Sequence, residues 1–164
     1  MGHTLMVDSA DKKTFNNTDW VLDSGCSWSL TNSMSFFTEF KHFSSPRVFT
    51  AANGSKIKAI GFGTVVIQTS FGQIIEPEIF FSEEVDMNLL SAYSIRKAGY
   101  KINSGYDLTF EIFDKDGELM AIATPNDRFY VIKCLIKPVF SVISSNSLYF
   151  WYVRLGHANY KSVF

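Results

Sequence analysis

Apolar and polar positions alternate through most of the chain in short runs, with turn residues between them. From Asp19 to Gly105, runs rich in Val, Ile, Phe and Thr are cut at frequent intervals by Gly, Asn, Asp and Ser. A period of two over a few residues places one face of each run in a core, so this spacing predicts short strands of a small, mostly β barrel or sandwich. Val48–Ala52 and Ser55–Ile60 flank Asn53-Gly54. Asn-Gly tolerates the positive φ angles of a two-residue type I′ turn, so a hairpin is expected there. A second hairpin is expected from Thr64–Thr69 and Gln73–Phe80 around Ser70-Phe71-Gly72, with Pro77 forcing its return strand to an edge or a bulge. One helix is predicted. Asp86 or Asn88 caps it, Leu89, Ala92, Tyr93 and Ile95 form its apolar face, and Gly99 ends it. Further strands are read at 108–112, 118–123 and 128–133, with Asp114–Gly117 as a turn.

Composition narrows the class. The chain has 164 residues with 46% hydrophobic and 19% charged, which fits one globular domain with a real core. Its 16 phenylalanines supply an aromatic core. A net charge of -1 gives no basic surface for nucleic acid or an anionic membrane. No leader-like or bilayer-length apolar segment is read in it. Two cysteines, Cys26 and Cys134, make neither a disulfide framework nor a zinc site, so an intracellular, reducing setting is expected. Residues 1–18 read as an N-terminal arm, 19–137 as the main domain, and 138–164 as a linker and aromatic tail.

The candidate chemistry lies where the run Trp20-Val21-Leu22 stops at Asp23-Ser24-Gly25. A rigidly held carboxylate can act as general base on water. The following Ser can lock a loop, and Gly lets backbone approach closely and offers its N–H. Peptide hydrolysis without a metal or a nucleophile needs an acid as well as a base. Two carboxylates sharing one proton provide both, because like charges in contact cannot both ionise. The chain carries a single Asp-Ser-Gly. The simplest source of a second carboxylate is a symmetric homodimer with its two-fold axis between two Asp23 side chains. Alone the tripeptide is weak, since it arises by chance in a chain of this length with a probability of roughly a few per cent.

Its setting adds weight. Trp20-Val21-Leu22-Asp23-Ser24-Gly25-Cys26-Ser27 is followed by Ala52-Asn53-Gly54 with Gly61-Phe62-Gly63, and then by Asn88-Leu89-Leu90-Ser91. That order resembles a retropepsin, in the version found in copia-type retrotransposons, over about residues 19–133. The tail Phe150-Trp151-Tyr152-Val153-Arg154-Leu155-Gly156-His157 resembles the start of the pre-integrase segment that follows the protease in copia-type Gag-Pol polyproteins. The resemblance implies an all-β fold with one short helix, a retropepsin-like closed β-barrel, each monomer half of a symmetric dimer. It implies an aspartic endopeptidase that processes the Gag and Gag-Pol polyprotein. Asp23, Ser24 and Gly25 would be catalytic, and Ala52, Asn53 and Gly54 would form a flap over an extended peptide. Leu89 and Leu90 are expected to pack beneath the catalytic loop.

The family's first zinc-binding His in the tail is Tyr152 here, and a lone His157 falls short of the four ligands of a structural zinc. No metal and no cofactor are expected. The expected partners are a second copy and a peptide or polyprotein substrate, with neither nucleic acid nor membrane. The expected location is the cytoplasm, or a virus-like particle in an intact element. The rival expectation is a truncated, catalytically silent remnant, or an adopted dimerisation module.

Overall fold

The computed structural model describes residues 16–51 and 53–135. The tail expected at 138–164 and most of the expected arm therefore lie outside the described residues. Along the chain run β1 (Trp20–Asp23), β2 (Ser29–Thr31), a 3-10 turn (Met34–Phe36), β3 (Phe37–Thr50), β4 (Lys56–Gln68), β5 (Gln73–Phe81) and β6 (Asn88–Ser91). A short helix α1 (Ala92–Lys97) precedes β7 (Lys101–Ser104), β8 (Phe110–Phe113), β9 (Leu119–Asn126) and β10 (Phe129–Ile132). The protein is mostly β with one short helix among the described residues, as the alternation predicts.

All ten strands form one sheet in the order β3-β4-β5-β2-β6-β1-β10-β9-β8-β7. Two pairings are parallel, β1 with β6 and β2 with β5. The expected closed barrel is not met, because β3 and β7 end the order, each paired on one side only. The β3 edge is unsuited to a closing ladder. Residues 44–48 are all exposed, the strand bulges between His42 and Arg47, and Pro46 has no N–H to give.

The sheet curls instead, fastened by single contacts. Thr69 Oγ1 donates to the Met120 carbonyl (2.5 Å), the Leu135 N–H to the Gln68 carbonyl (2.7 Å), and the Ile75 N–H to the Tyr100 hydroxyl (2.8 Å). A Cβ on Gly72 would stand 2.8 Å from Met120 Sδ, so a larger residue there would have to push that side chain aside. The curl brings Ile67 and Ile74 into the same core as Ile112, Ala121 and Ile132, together with the fully buried Trp20. A smaller cluster of Leu30, Ala59, Phe80 and Val85 packs with Phe43, Phe49 and Phe62 under the β3–β4 hairpin.

Local departures have physical reasons. The predicted helix begins later than expected, because residues 88–91 are strand. Leu90 enters the main core while Leu89 packs on the smaller cluster, the alternation of a strand rather than the period of a helix. Ser91 caps α1 by accepting from the Ser94 N–H (3.1 Å), and Tyr93, expected on the apolar face, is 64% exposed. Pro77 does fall at a bulge, where the β4–β5 register shifts between Gly63 and Val65. Strand β7 was not predicted, since three of its four residues are exposed and leave no apolar alternation.

Candidate active site

Asp23 is the last residue of β1 and pairs in parallel register with Ser91 of β6. Because β6 lies between β1 and β2 in the sheet, the chain from Ser24 to Trp28 must cross the end of β6. Hydroxyl groups hold this crossing. Ser91 Oγ donates to the Cys26 carbonyl (2.5 Å), and the Ser91 N–H donates to Ser29 Oγ (2.9 Å). Since Ser91 also caps α1, a single buried side chain joins loop, strand and helix.

A second polar knot lies three residues earlier on β6. Asn88 is 2% exposed, accepts from Thr31 Oγ1 (2.6 Å), and donates to the carbonyls of Asn17 (3.0 Å) and Asp19 (2.9 Å). Buried amides are tolerated when their donors and acceptors are matched, and here three partners do so.

The Asp23 carboxylate itself is half-buried, and its Oδ1 accepts the Gly25 N–H at 2.7 Å. A Cβ on Gly25 would sit 3.3 Å from that oxygen, so glycine leaves room for the carboxylate rather than for an unusual φ. Ser24 and Gly25 are exposed. Among the described residues no ion pair reaches Asp23. The Cys26 thiol donates to the Trp28 carbonyl (2.7 Å). Burial, and less strongly the Asp23 charge, push this thiol up from its ordinary value, so it packs as a neutral group and not as a thiolate nucleophile.

The β3–β4 hairpin is present at the expected place, but Ala52 lies outside the described residues. Its turn is not the expected two-residue loop, for the bonds that close it run from Ala51 to Gly54 and Ser55, with Gly54 at φ 82°. The Gly54 N–H donates to the Ala51 carbonyl and the Ala51 N–H to that of Ser55 (both 2.9 Å), the longer loop in which a left-handed glycine follows the turn. Asn53 Oδ1 accepts from the Ser55 N–H (2.9 Å), so the side chain stiffens its own turn.

No described hydrogen bond joins Asn53 or Gly54 to the Asp23 loop; the two regions meet through rings. Phe49 of β3 lies 6.0 Å from Trp28 of the crossing, and both pack on Phe80, at 4.9 and 5.4 Å. At the hairpin's base Gly61 and Gly63 are obligatory, since Cβ atoms there would fall 2.3 Å from the Lys41 carbonyl oxygen and 1.9 Å from that of Glu39.

Trp28, Ser29, Thr31, Asn88 and Ser91 are the positioning residues that sequence reasoning missed. The signal was available in Asn88-Leu89-Leu90-Ser91, a strand with a polar residue at either end. Among the described residues no group of three or more His, Cys, Asp and Glu side chains converges to hold a metal, and no helix is long and apolar enough to cross a membrane.

Residues 20–100 match the family model described as Pol polyprotein, beta-barrel domain. The match opens at the first residue of β1 and closes just after α1, so it contains Asp23, the crossing and the hairpin. It supports a fragment of a Pol polyprotein, and with it a retroelement Pol region. The curated proteins contain no match to the chain.

Proposed function

We propose that the chain is an aspartic endopeptidase of the retropepsin type, from a copia-type element, acting as a homodimer with one Asp23 per copy. The observation that carries this reading is the Asp23 carboxylate. It is half-exposed at a strand end, steadied by one N–H, and mounted on a crossing that buried hydroxyls make rigid. A pre-organised carboxylate with an open side is what a shared-proton pair requires.

In the dimer the ionised Asp23 takes a proton from water as the water oxygen bonds to the scissile carbonyl carbon. The protonated Asp23 of the other copy gives its proton to the carbonyl oxygen. Proton return to the amide nitrogen then accompanies C–N cleavage, releasing acid and amine. Ser24 steadies the opposing loop, and Ala52, Asn53 and Gly54 cover a peptide bound in extended form. The substrates would be Gag and Gag-Pol polyproteins, in the cytoplasm or a virus-like particle. No metal or cofactor enters this chemistry.

Incubation of the full chain with a peptide spanning apolar residues, at mildly acidic pH, tests the reading. Cleavage that Asp23→Asn lowers on the order of 10²–10⁴-fold, and that a statine-type inhibitor blocks, supports it. A folded, dimeric sample that leaves the peptide intact would instead indicate a silent remnant or an adopted dimerisation module.

A further inference from the structure

We propose that Glu76 is a proton-operated latch on the loop that carries Asp23. Holding a proton, it keeps the first turn of α1 seated on β5, and Ser91 then grips the loop; on ionising, it lets both go. The latch belongs to the fold itself, and only its consequence for peptide cleavage rests on the protease reading.

A continuous chain of hydrogen bonds makes the connection. Ser94 Oγ donates to Glu76 Oε1 (2.9 Å), and the Ser94 N–H donates to Ser91 Oγ (3.1 Å). Ser91 Oγ donates in turn to the Cys26 carbonyl (2.5 Å), one residue past the Gly25 N–H that holds Asp23 Oδ1. A hydroxyl has one proton to give. That of Ser91 goes to Cys26, so toward Ser94 it acts only as an acceptor, and both bonds depend on one side-chain position. Glu76, Ser91 and Ser94 are all buried, so water does not replace these bonds while the turn is seated.

Little else holds the first turn of α1. Tyr93 is 64% exposed, Ala92 is small and only partly buried, and the buried apolar anchor Ile95 lies beyond them. The other link from α1 to β5, Lys97 Nζ to Glu78 Oε2 at 4.0 Å, is exposed and long, which makes it weak.

Charge decides when the latch opens. Glu76 Oε2 has no hydrogen-bond partner. A neutral carboxyl bears this at modest cost, whereas a buried carboxylate with an unmatched oxygen is strongly penalised. Burial accordingly pushes the carboxyl up from its ordinary value, against the Ser94 hydroxyl and the Glu78 backbone. Of the charged groups, Glu78 on the same strand adds a smaller rise and Lys97 on α1 opposes it. The rest of the surroundings bring no further charge. β2 and β9 have no titratable side chain, β4 sets Val65 opposite Glu76, and Tyr93 and Arg96 of α1 are exposed. Tyr100 turns its hydroxyl to the Ile75 N–H. A carboxyl raised in this way is neutral below its folded value and charged above it. The latch therefore holds in acid and releases as pH rises through that value, when water reaches the carboxylate by displacing the turn bonded to it.

Amide hydrogen exchange of the full chain tests this, followed residue by residue from mildly acidic to mildly alkaline pH and corrected for intrinsic base catalysis. The Ser91 and Ser94 amides are expected to lose on the order of tenfold protection over that range, and to open before those of Ile112 and Val131. Glu76→Gln, neutral at every pH and still an acceptor for Ser94, should keep them protected throughout. Ser94→Ala cuts the chain but leaves Glu76, so exchange at Ser91 should no longer follow pH. Persistent pH dependence in either variant overturns the latch. So do Ser91 and Ser94 amides that exchange no faster than those of Ile112 and Val131, because they then open only with the whole fold. A chain that shows the expected exchange but cleaves no peptide keeps the latch and loses the protease reading. One that cleaves peptide with Ser91 and Ser94 equally protected at every pH does the reverse.

Discussion

The two flanks of β1 are built from different materials. On the β6 side the contacts are polar and buried: Ser29, Thr31, Asn88 and Ser91 are each 2% exposed or less and hydrogen-bond one another or the backbone beside Asp23. On the β10 side the contacts are a backbone ladder and apolar packing, with Val131 and Ile132 at 1% and Ala121, Ala123 and Ile112 fully buried. One ion pair closes that side, Lys133 Nζ to Asp19 Oδ2 at 2.6 Å, its carboxylate buried and its amine exposed. The family match reaches residue 100 and so takes in only the polar flank. The apolar flank is nonetheless structural necessity, because without β10 the backbone groups of β1 would lose their partners on one whole side. Directional bonds set the geometry of the crossing, and non-directional burial supplies the stability that holds it in place.

The hardest way to break this comparison is to delete one flank. Truncation after residue 100 removes Ile112, Val131 and Ile132 from the core, each worth about 1.5–3 kcal/mol, and also opens the β1 edge. That loss is comparable to the whole stability of an ordinary domain. The truncated chain is expected to show no cooperative thermal transition by circular dichroism and to bind a hydrophobic dye; a sharp transition would mean that the polar flank stands alone.

A matched pair sharpens it next. Asn88→Ala strands a hydroxyl and two carbonyls, at a cost on the order of 3 kcal/mol, while Val131→Ala leaves a cavity at a cost of about 2–3 kcal/mol. Urea denaturation should place the two within about 1 kcal/mol of each other. Peptide cleavage, measured where both are folded, should fall markedly only in Asn88→Ala. Equal activities would deny the polar flank its positioning role.

The smallest effect concerns a polar group on neither flank. Glu76 of β5 is 1% exposed; Oε1 accepts from Ser94 Oγ (2.9 Å) and Oε2 has no hydrogen-bond partner. Burial pushes its carboxyl up from the ordinary range, against the Ser94 hydroxyl and the Glu78 backbone, while the Glu78 charge adds a smaller rise and Lys97 opposes it. A group whose folded value is raised stabilises the fold while both states hold the proton, and that contribution fades as pH rises through the folded value. The wild-type Tm should therefore fall between mildly acidic and mildly alkaline pH. Glu76→Gln, which keeps an acceptor for Ser94, should flatten that slope; identical slopes would show that Glu76 ionises freely.

What could be read from the sequence follows from the range of the forces involved. Both hairpins, the Pro77 bulge and the position of Asp23 at a strand end were legible because each depends on neighbours a few residues apart. The open sheet was not, since closure depends on whether two strands far apart in sequence can pair. Strand β7 escaped because an exposed edge strand has no apolar rhythm. Residues 88–91 were misread because Leu89-Leu90 fits a helix face as well as it fits two clusters on opposite sides of a strand. The roles of Ser91 and Asn88 became visible only once strand order put β6 between β1 and β2, which no local pattern encodes.

The antiparallel zipper of Trp20 with Ile132 also has a consequence for how the molecule is made. A ribosome adding roughly 5–20 residues per second releases β1 early and its outer neighbour on the order of 6–22 s later. Through that interval the nascent Val21 and Leu22 have no permanent cover on one side, and pairing between such distant segments is slow even after release. Chaperones that shield extended apolar segments during translation would therefore find their natural client in this stretch.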